Sequence, residues 1–285
     1  MTHPILSASD LHARLSAGGD LRIFEATFHL DNTALGRAQY ESGHIAGALY
    51  ADLDTQLSAT DEGHAFNGGR HPLPTREHFA STLGQWGITP DTDVVVYDRV
   101  GTLTAGRLWW MLRWCGHARV QVLDGGWNAW QALGGPCAEG ASPAVQAVDP
   151  YPLGAPLEQV FTQADIQARL GSPEHTLIDA RGGPRYRGET EPLDPVAGHI
   201  PGALNRPYPE NFGPDGCFKS PQVLRAEWQQ LLGQRPPETV IAYCGSGVSA
   251  VPNLIALRLA GVQPQGLYAG SWSEWSRAGL PCAQG

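Results

Sequence analysis

One cysteine in this sequence stands where a nucleophile can be made. Cys244 follows the apolar run at 239–243 and opens Gly245-Ser246-Gly247-Val248-Ser249, just ahead of a helix-forming stretch. Ligands of open α/β sheets bind beyond the carboxyl ends of the strands. Two glycines let such a loop curl until successive backbone N–H groups converge on one point, and a helix start adds the positive end of its dipole. A thiol in that setting ionises readily, with a pKa lowered to roughly 3.5–7.5. The chemistry expected is that of an activated thiolate, or of a terminal persulfide anion in the same cradle. The other four thiols read differently. Cys115 lies in a Trp-rich helical stretch, and Cys137 and Cys282 occupy matching places near the ends of the two halves. These three read as small buried hydrophobes, while Cys217 lies in a polar loop that suggests neither role. An odd count and the absence of any CxxC support neither a disulfide framework nor a zinc ribbon.

The elements that position Cys244 come from a duplication. Ser9-Asp10-Leu11-His12-Ala13-Arg14-Leu15 returns as Ala164-Asp165-Ile166-Gln167-Ala168-Arg169-Leu170, and Gly43-His44-Ile45-Ala46-Gly47-Ala48-Leu49 as Gly198-His199-Ile200-Pro201-Gly202-Ala203-Leu204, both 155 positions on. Val94-Val95-Val96-Tyr97-Asp98 matches the strand ending in Cys244, now 146 on; Gly126-Trp127-Asn128-Ala129-Trp130 matches Ser271-Trp272-Ser273-Glu274-Trp275 at 145. Gly135-Pro136-Cys137 matches Leu280-Pro281-Cys282 at the same spacing. The falling offset puts extra residues in the first half, around Asn67-Gly68-Gly69-Arg70-His71-Pro72. Repetition at this scale fixes the architecture: an N-terminal domain over 1–137, a Pro-, Ala- and Gly-rich linker over 138–157, and a C-terminal domain over 158–285. In the second copy the patterns predict a helix at 162–170, a strand at 176–180, a helix at 220–232, a strand at 239–243 and a helix at 249–260 ending at Gly261. Strands alternating with helices imply βαβ units, so the fold class expected is α/β, each domain a parallel sheet flanked by helices. The residue matching Cys244 in the first copy is Asp98. A carboxylate is not a soft sulfur nucleophile, so the first copy should be catalytically inactive.

Composition narrows the function classes. At 285 residues the chain has room for about two domains. Apolar residues at 42% and charged residues at 16% argue against disorder. A net charge of −9 disfavours nucleic acid and anionic membranes as partners. Apolar runs such as Val94-Val95-Val96-Tyr97 are far short of the roughly 20 residues of a membrane helix. No secretory signal is visible at the start, and the cysteine usage suits a reducing compartment, so a cytoplasmic location is expected. No residue cluster has metal-ligand spacing, and no cofactor is expected.

Taken together, the GHI(P/A)GA segments of both halves, the Asp179-Ala180-Arg181 strand end, the GGW/GSW segments and the CGSGV loop resemble the tandem-domain rhodanese-type sulfurtransferases over nearly the whole chain. The CGSGV loop is similar to that of the 3-mercaptopyruvate sulfurtransferases, whereas thiosulfate-specific rhodaneses carry Arg and Lys after the cysteine. The resemblance implies a small-molecule sulfur donor, a persulfide on Cys244, and transfer to cyanide or to a thiol or dithiol such as thioredoxin. It further implies that Arg185 grips the anionic donor, with Arg187 as a second candidate, and that Gly245, Gly247, Val248 and Ser249 line the donor site. Ser246 would work with His71 and Asp54 from the first half, which places the site between the two domains. One departure stands out. Mercaptopyruvate-type enzymes have a further arginine in a PEPR-like segment, and here that segment reads Glu191-Pro192-Leu193-Asp194. His44 and His199 recur in both copies, the inactive one included, and so read as structural turn residues.

Rival readings are weaker. A cysteine phosphatase needs an arginine six residues after the cysteine, and that position is Ala250. Gly245-Ser246-Gly247 lacks the G-x-S-x-G elbow of a serine hydrolase. A non-catalytic sulfur-sensing module does not require both the intact cysteine loop and Arg185. The nearest alternative is a thiosulfate:cyanide sulfurtransferase.

Overall fold

Each half of the sequence builds a five-stranded sheet in which every pairing is parallel. The structure, a computed structural model, describes residues 3–285. In the first sheet the spatial order is Ile5–Leu6, Val120–Leu123, Asp93–Tyr97, Leu21–Glu25, Leu49–Tyr50; in the second it is Val160–Phe161, Gly266–Tyr268, Val240–Tyr243, Thr176–Asp179, Leu204–Asn205. The two orders are the same, as a duplication requires, and the expected α/β class with a parallel sheet in each half is observed. The central strand of the second sheet, Val240–Tyr243, is fully buried along its length, as a parallel strand covered on both faces must be.

The chain divides into two units. One comprises Met1–Ala65, Pro74–Leu157 and Pro214–Cys217, the other Phe66–Leu73, Glu158–Gly213 and Phe218–Gly285. The exchange of Phe66–Leu73 matters for function, because this segment of the first repeat packs in the second unit. Residues 138–157 run along the first unit, held by Val148 N–H to Gly84 O, Tyr151 N–H to Ala80 O and Gly154 N–H to Cys115 O.

Local signals explain the helices. Thr162 caps Gln163–Arg169 through a capping box with Asp165, and Ser220 caps Pro221–Leu232, whose proline sits at the tolerated first position. The helix expected from 249 starts at Val251, because 244–250 stay irregular, and it stops at Leu259 ahead of Gly261 at φ +84°. No helix among the described residues is long and apolar enough to cross a membrane.

The repeated histidines do the same job twice. His44 Nδ1 bonds Tyr40 O at 2.8 Å and its ring stacks on Tyr40; His199 Nδ1 bonds Tyr186 O at 2.8 Å and stacks on Tyr186. Beside them, Ile45 N–H donates to Tyr97 Oη and Ile200 N–H to Tyr243 Oη. Both histidines are buried pieces of a turn.

Asp98 shows what the first copy has done with its loop. Its carboxylate accepts from Val100 N–H at 3.0 Å, Thr102 N–H at 2.9 Å and Ala105 N–H at 3.0 Å. The protein's own anion therefore fills the amide cradle. Burial raises the Asp98 pKa, while the amide bonds from Ala105, Val100 and Thr102 pull it down. Asp98→Ala removes the acceptor of these amides, and unsatisfied buried donors are costly. The expected loss is about 2–3 kcal/mol of unfolding free energy, read from urea denaturation; an unchanged midpoint would mean that water replaces the carboxylate without penalty.

Candidate active site

Cys244 leaves the carboxyl end of Val240–Tyr243, between Thr176–Asp179 and Gly266–Tyr268 in the sheet. Its residue is 1% exposed. Backbone hydrogen bonds pin the chain on either side of the sulfur: Cys244 N–H donates to Ser271 Oγ at 3.1 Å, Trp272 N–H to Cys244 O at 3.0 Å, and Ser273 N–H to Gly245 O at 2.9 Å. Gly247 takes φ +73°, and a Cβ there would collide with Ala269 O, so only glycine lets the loop turn at that point. Among the described residues, the amides of Gly245, Ser246, Val248 and Ser249 donate to no protein acceptor. In the Asp98 loop, by contrast, a carboxylate takes the amides of Val100 and Thr102, which match those of Ser246 and Val248. The second loop is an open nest able to receive an anion.

The Phe66–Leu73 segment is fastened beside this loop within the second unit. Gly68 N–H donates to Glu274 Oε1 at 2.6 Å and Arg70 N–H to Ser273 Oγ at 3.0 Å. Gly69 has φ +96°, and a Cβ on it would lie 2.8 Å from both Gly270 O and Ser273 Oγ, so the double glycine permits this close approach. The result is a hydrogen bond of 2.8 Å between His71 Nδ1 and Ser246 Oγ, both residues buried at 8% exposure. The pair foreseen from sequence is thus brought together, and it lies inside one unit.

Arginines frame the other side. Arg185 lies in the short helix Gly183–Tyr186 and bonds Glu191 through Nε at 3.2 Å and Nη2 at 2.7 Å. Burial opposes charge on Glu191, but the Arg185 bond and the Leu193 amide outweigh it and hold its pKa below the ordinary value. Asp194, its side chain fully buried, takes Arg70 at 3.0 Å, Arg185 at 3.5 Å and Arg277 at 3.4 Å. The Glu191-to-Asp194 segment therefore supplies carboxylates that orient the guanidiniums around it. Arg181 lies behind, bound to Asp179 and Glu191 and set over the Trp272 ring.

The remaining sequence candidates have the following surroundings. Arg187 pairs with Glu189 at 2.7 Å with 45% of its side chain exposed. Val248 is buried and Ser249 half-buried in the turn before Val251–Leu259. Asp54 belongs to the first unit, its N–H bonded to Asp52 Oδ1; burial, with the Asp52 charge adding to it, raises its pKa. Of the other thiols, Cys115 is buried as expected, but Cys137 and Cys282 are exposed. The Pro-Cys segments pair along the His44 and His199 turns with their sulfurs outward: His44–Ile45 with Cys137–Ala138, and His199 with Ala283. Residue matching gave their equivalence correctly, but the burial expected of both is corrected to exposure. Arg70, Glu191 and Asp194 were not singled out from the sequence. The available signal was Arg70's place beside His71, in a segment that the second repeat lacks.

A family model for the rhodanese-like domain matches residues 7–133 and 162–278. The chain belongs to the rhodanese family. This tandem rhodanese is 44% identical over 274 residues to a probable 3-mercaptopyruvate sulfurtransferase of Pseudomonas aeruginosa, covering 95% of this chain and 94% of that one. It is 35% identical over 272 residues to the thiosulfate sulfurtransferase of Cricetulus griseus, covering 93% of this chain and 88% of the relative. Among solved structures it resembles a 3-mercaptopyruvate sulfurtransferase from Leishmania major with a TM-score of 0.83 at 28% identity, covering 99% of this chain and 76% of that one. The rhodanese described here is accordingly an enzyme, a sulfurtransferase, with a sulfur donor and a sulfur acceptor as its substrates.

Proposed function

We propose that this sulfurtransferase takes sulfur from 3-mercaptopyruvate, carries it as a persulfide on Cys244, and delivers it to cyanide or to a dithiol such as thioredoxin. The observation that carries the reading is the Ser246–His71 hydrogen bond beside the cysteine loop. The two candidate donors differ in what they demand of the protein. Thiosulfate gives up its outer sulfur by breaking an S–S bond and leaves sulfite, with no proton to move. Mercaptopyruvate gives up a thiol sulfur by breaking a C–S bond. The Cys244 thiolate attacks that sulfur, the C–S electron pair departs as the enolate of pyruvate, and the thiol proton ends on the product's methyl carbon. A histidine bonded to a hydroxyl at the reacting loop is suited to that proton movement, and hydrogen-bond donors aimed at the enolate oxygen stabilise it as it forms. Arg185, whose Nε and Nη2 are held by Glu191, takes the donor carboxylate through Nη1. The amides of Gly245, Ser246, Val248 and Ser249 receive the persulfide anion. In the second half-reaction cyanide attacks the outer sulfur, the S–S bond breaks, and thiocyanate leaves the Cys244 thiolate ready for another turn. Asp54 enters this reading through the sequence resemblance alone.

The alternative donor, thiosulfate, is favoured by a different observation, the guanidiniums gathered near Gly245, which suit a compact dianion. Steady-state kinetics with each donor at saturating cyanide separates the two. The expected result is a higher kcat/KM for 3-mercaptopyruvate, with His71→Ala and Asp54→Asn lowering kcat for that donor more than for thiosulfate. A preference of the unaltered enzyme for thiosulfate removes the reading, and unchanged mercaptopyruvate kcat in Asp54→Asn removes Asp54 from it.

A further inference from the structure

Arg70 has no role in the scheme above, yet it stands at the cysteine loop. A Cβ on Gly245 would lie 3.2 Å from Arg70 Nη2 and 3.6 Å from Arg185 Nη1. Two guanidiniums from separate segments therefore converge on the space left by the missing side chain of the residue after Cys244. Their nitrogens are at most about 6.8 Å apart, which a single carboxylate spans when each oxygen accepts one charge-assisted bond of about 2.9 Å. Both groups also keep hydrogen-bonding capacity in reserve. Arg70 Nη2 spends one N–H on Asp194 Oδ2 at 3.4 Å and has a second to give, and Arg185 makes its protein bonds through Nε and Nη2, leaving Nη1 on the Gly245 side. Their spacing is fixed by Asp194, whose buried carboxylate takes both, at 3.0 Å and 3.5 Å. Asp194 and Glu191 face four guanidiniums, those of Arg70, Arg181, Arg185 and Arg277, and Arg181 has Asp179 as a further partner. Glu274, bonded to Gly68 beside the same loop, brings the carboxylates to four, so attraction for an anion falls to the guanidinium nitrogens turned toward Gly245 rather than to a net charge.

We propose that Arg70 is a second donor-binding residue, clamping the anionic head of the sulfur donor between its guanidinium and that of Arg185. This deepens the mercaptopyruvate reading and rests on it for the identity of the head group, an α-keto carboxylate. Gly245 belongs to the same device, since any side chain there fills the seat between the two cations. Asp194 is a positioning residue, acting through the arginines it holds.

The test is donor and acceptor kinetics on Arg70→Leu and Arg70→Lys, using 3-mercaptopyruvate and thiosulfate as donors and cyanide as acceptor. In Arg70→Leu the KM for the preferred donor should rise about tenfold, with kcat within about twofold and the cyanide KM unchanged. Arg70→Lys should recover part of the loss, because a point charge reproduces attraction but not the fork. Pyruvate, a carboxylate without sulfur, should inhibit Arg70→Leu about tenfold more weakly than the unaltered enzyme. An unchanged donor KM and pyruvate inhibition overturn the proposal. So does an equal loss of kcat with both donors, which marks Arg70 as a structural partner of Asp194. If Arg70→Leu does not fold, Arg70→Lys decides by the same KM and inhibition criteria. The donor reading fails separately: a preference of the unaltered enzyme for thiosulfate removes it, and the KM of the Arg70 variants for thiosulfate then judges the clamp.

Discussion

Cys244→Ser is expected to abolish sulfur transfer, and incubation of the unaltered enzyme with donor alone is expected to add one sulfur atom, found by mass spectrometry on the peptide that contains Cys244. The argument is one of competition among five thiols. Burial pushes the Cys115 pKa up to about 12 and the Cys217 pKa up to about 11, the latter helped by the Asp124 and Asp215 charges. Both are thereby kept as thiols at neutral pH, and a thiol is a poor nucleophile beside a thiolate. Burial raises Cys282 as well. Cys137 is exposed, with its sulfur directed to Gly135 O at 3.3 Å, and no amide nest surrounds it. Among the described thiols, Cys244 combines the end of a central parallel strand with a loop in which the amides of Gly245, Ser246, Val248 and Ser249 donate to no described acceptor. Serine keeps the shape of the site but cannot carry a sulfane sulfur, so its variant should fold with the parent's melting temperature and turn over no donor. Cys115→Ser and Cys137→Ser should retain turnover. Reproducible persulfide on Cys137 or Cys282, the two exposed thiols, would overturn the assignment.

Much of the fold is legible in the amino-acid sequence because duplication writes itself twice. Five matched segments imply two sheets of one topology, and each strand or helix predicted in the second copy is present with its ends displaced by at most two residues. The displaced helix start at Val251 is informative. Periodicity sees the apolar face from Ser249 onward, but the turn at 248–250 is held open by backbone geometry that leaves no hydropathy trace. The unit boundary is less legible. Phe66–Leu73 belongs to the first repeat by position yet packs in the second unit, because its two glycines allow a close approach that composition alone reports only as a loop. Charge pairing is the least legible. The sequence shows a missing arginine at Leu193 and offers Arg187 as compensation, but Arg187 is spent on Glu189. The cation that stands at Gly245 is Arg70, 123 positions away from Leu193 in the chain. Two residues so far apart in sequence meet only through tertiary structure, and no spacing rule connects them.

Arg185→Leu should raise the KM for the anionic donor by about tenfold to a hundredfold, the equivalent of losing a charge-assisted hydrogen bond of about 1.5–3 kcal/mol. The lower part of that range corresponds to a single bond from Nη1, the nitrogen that Glu191 and Asp194 leave to the donor, and the upper part adds the loss of its charge beside the loop. Nε and Nη2 are fixed by Glu191 at 3.2 Å and 2.7 Å, so the plane of the group is set before any donor arrives and little rotamer freedom is lost on binding. Nη1 faces Gly245. Removing the guanidinium does not strand Glu191, which keeps Arg181 at 3.1 Å and the amides of Leu193 and Asp194. The fold should therefore survive, and the loss should fall on KM more than on kcat. Arg185→Lys should regain part of the affinity, since an ammonium can pair with Glu191 or with the donor but cannot bridge them in one plane. Melting curves separate binding from folding in these variants. A KM in Arg185→Leu equal to the parent's would make Arg185 a structural partner of Glu191 and leave donor recognition to Arg70 and the loop amides.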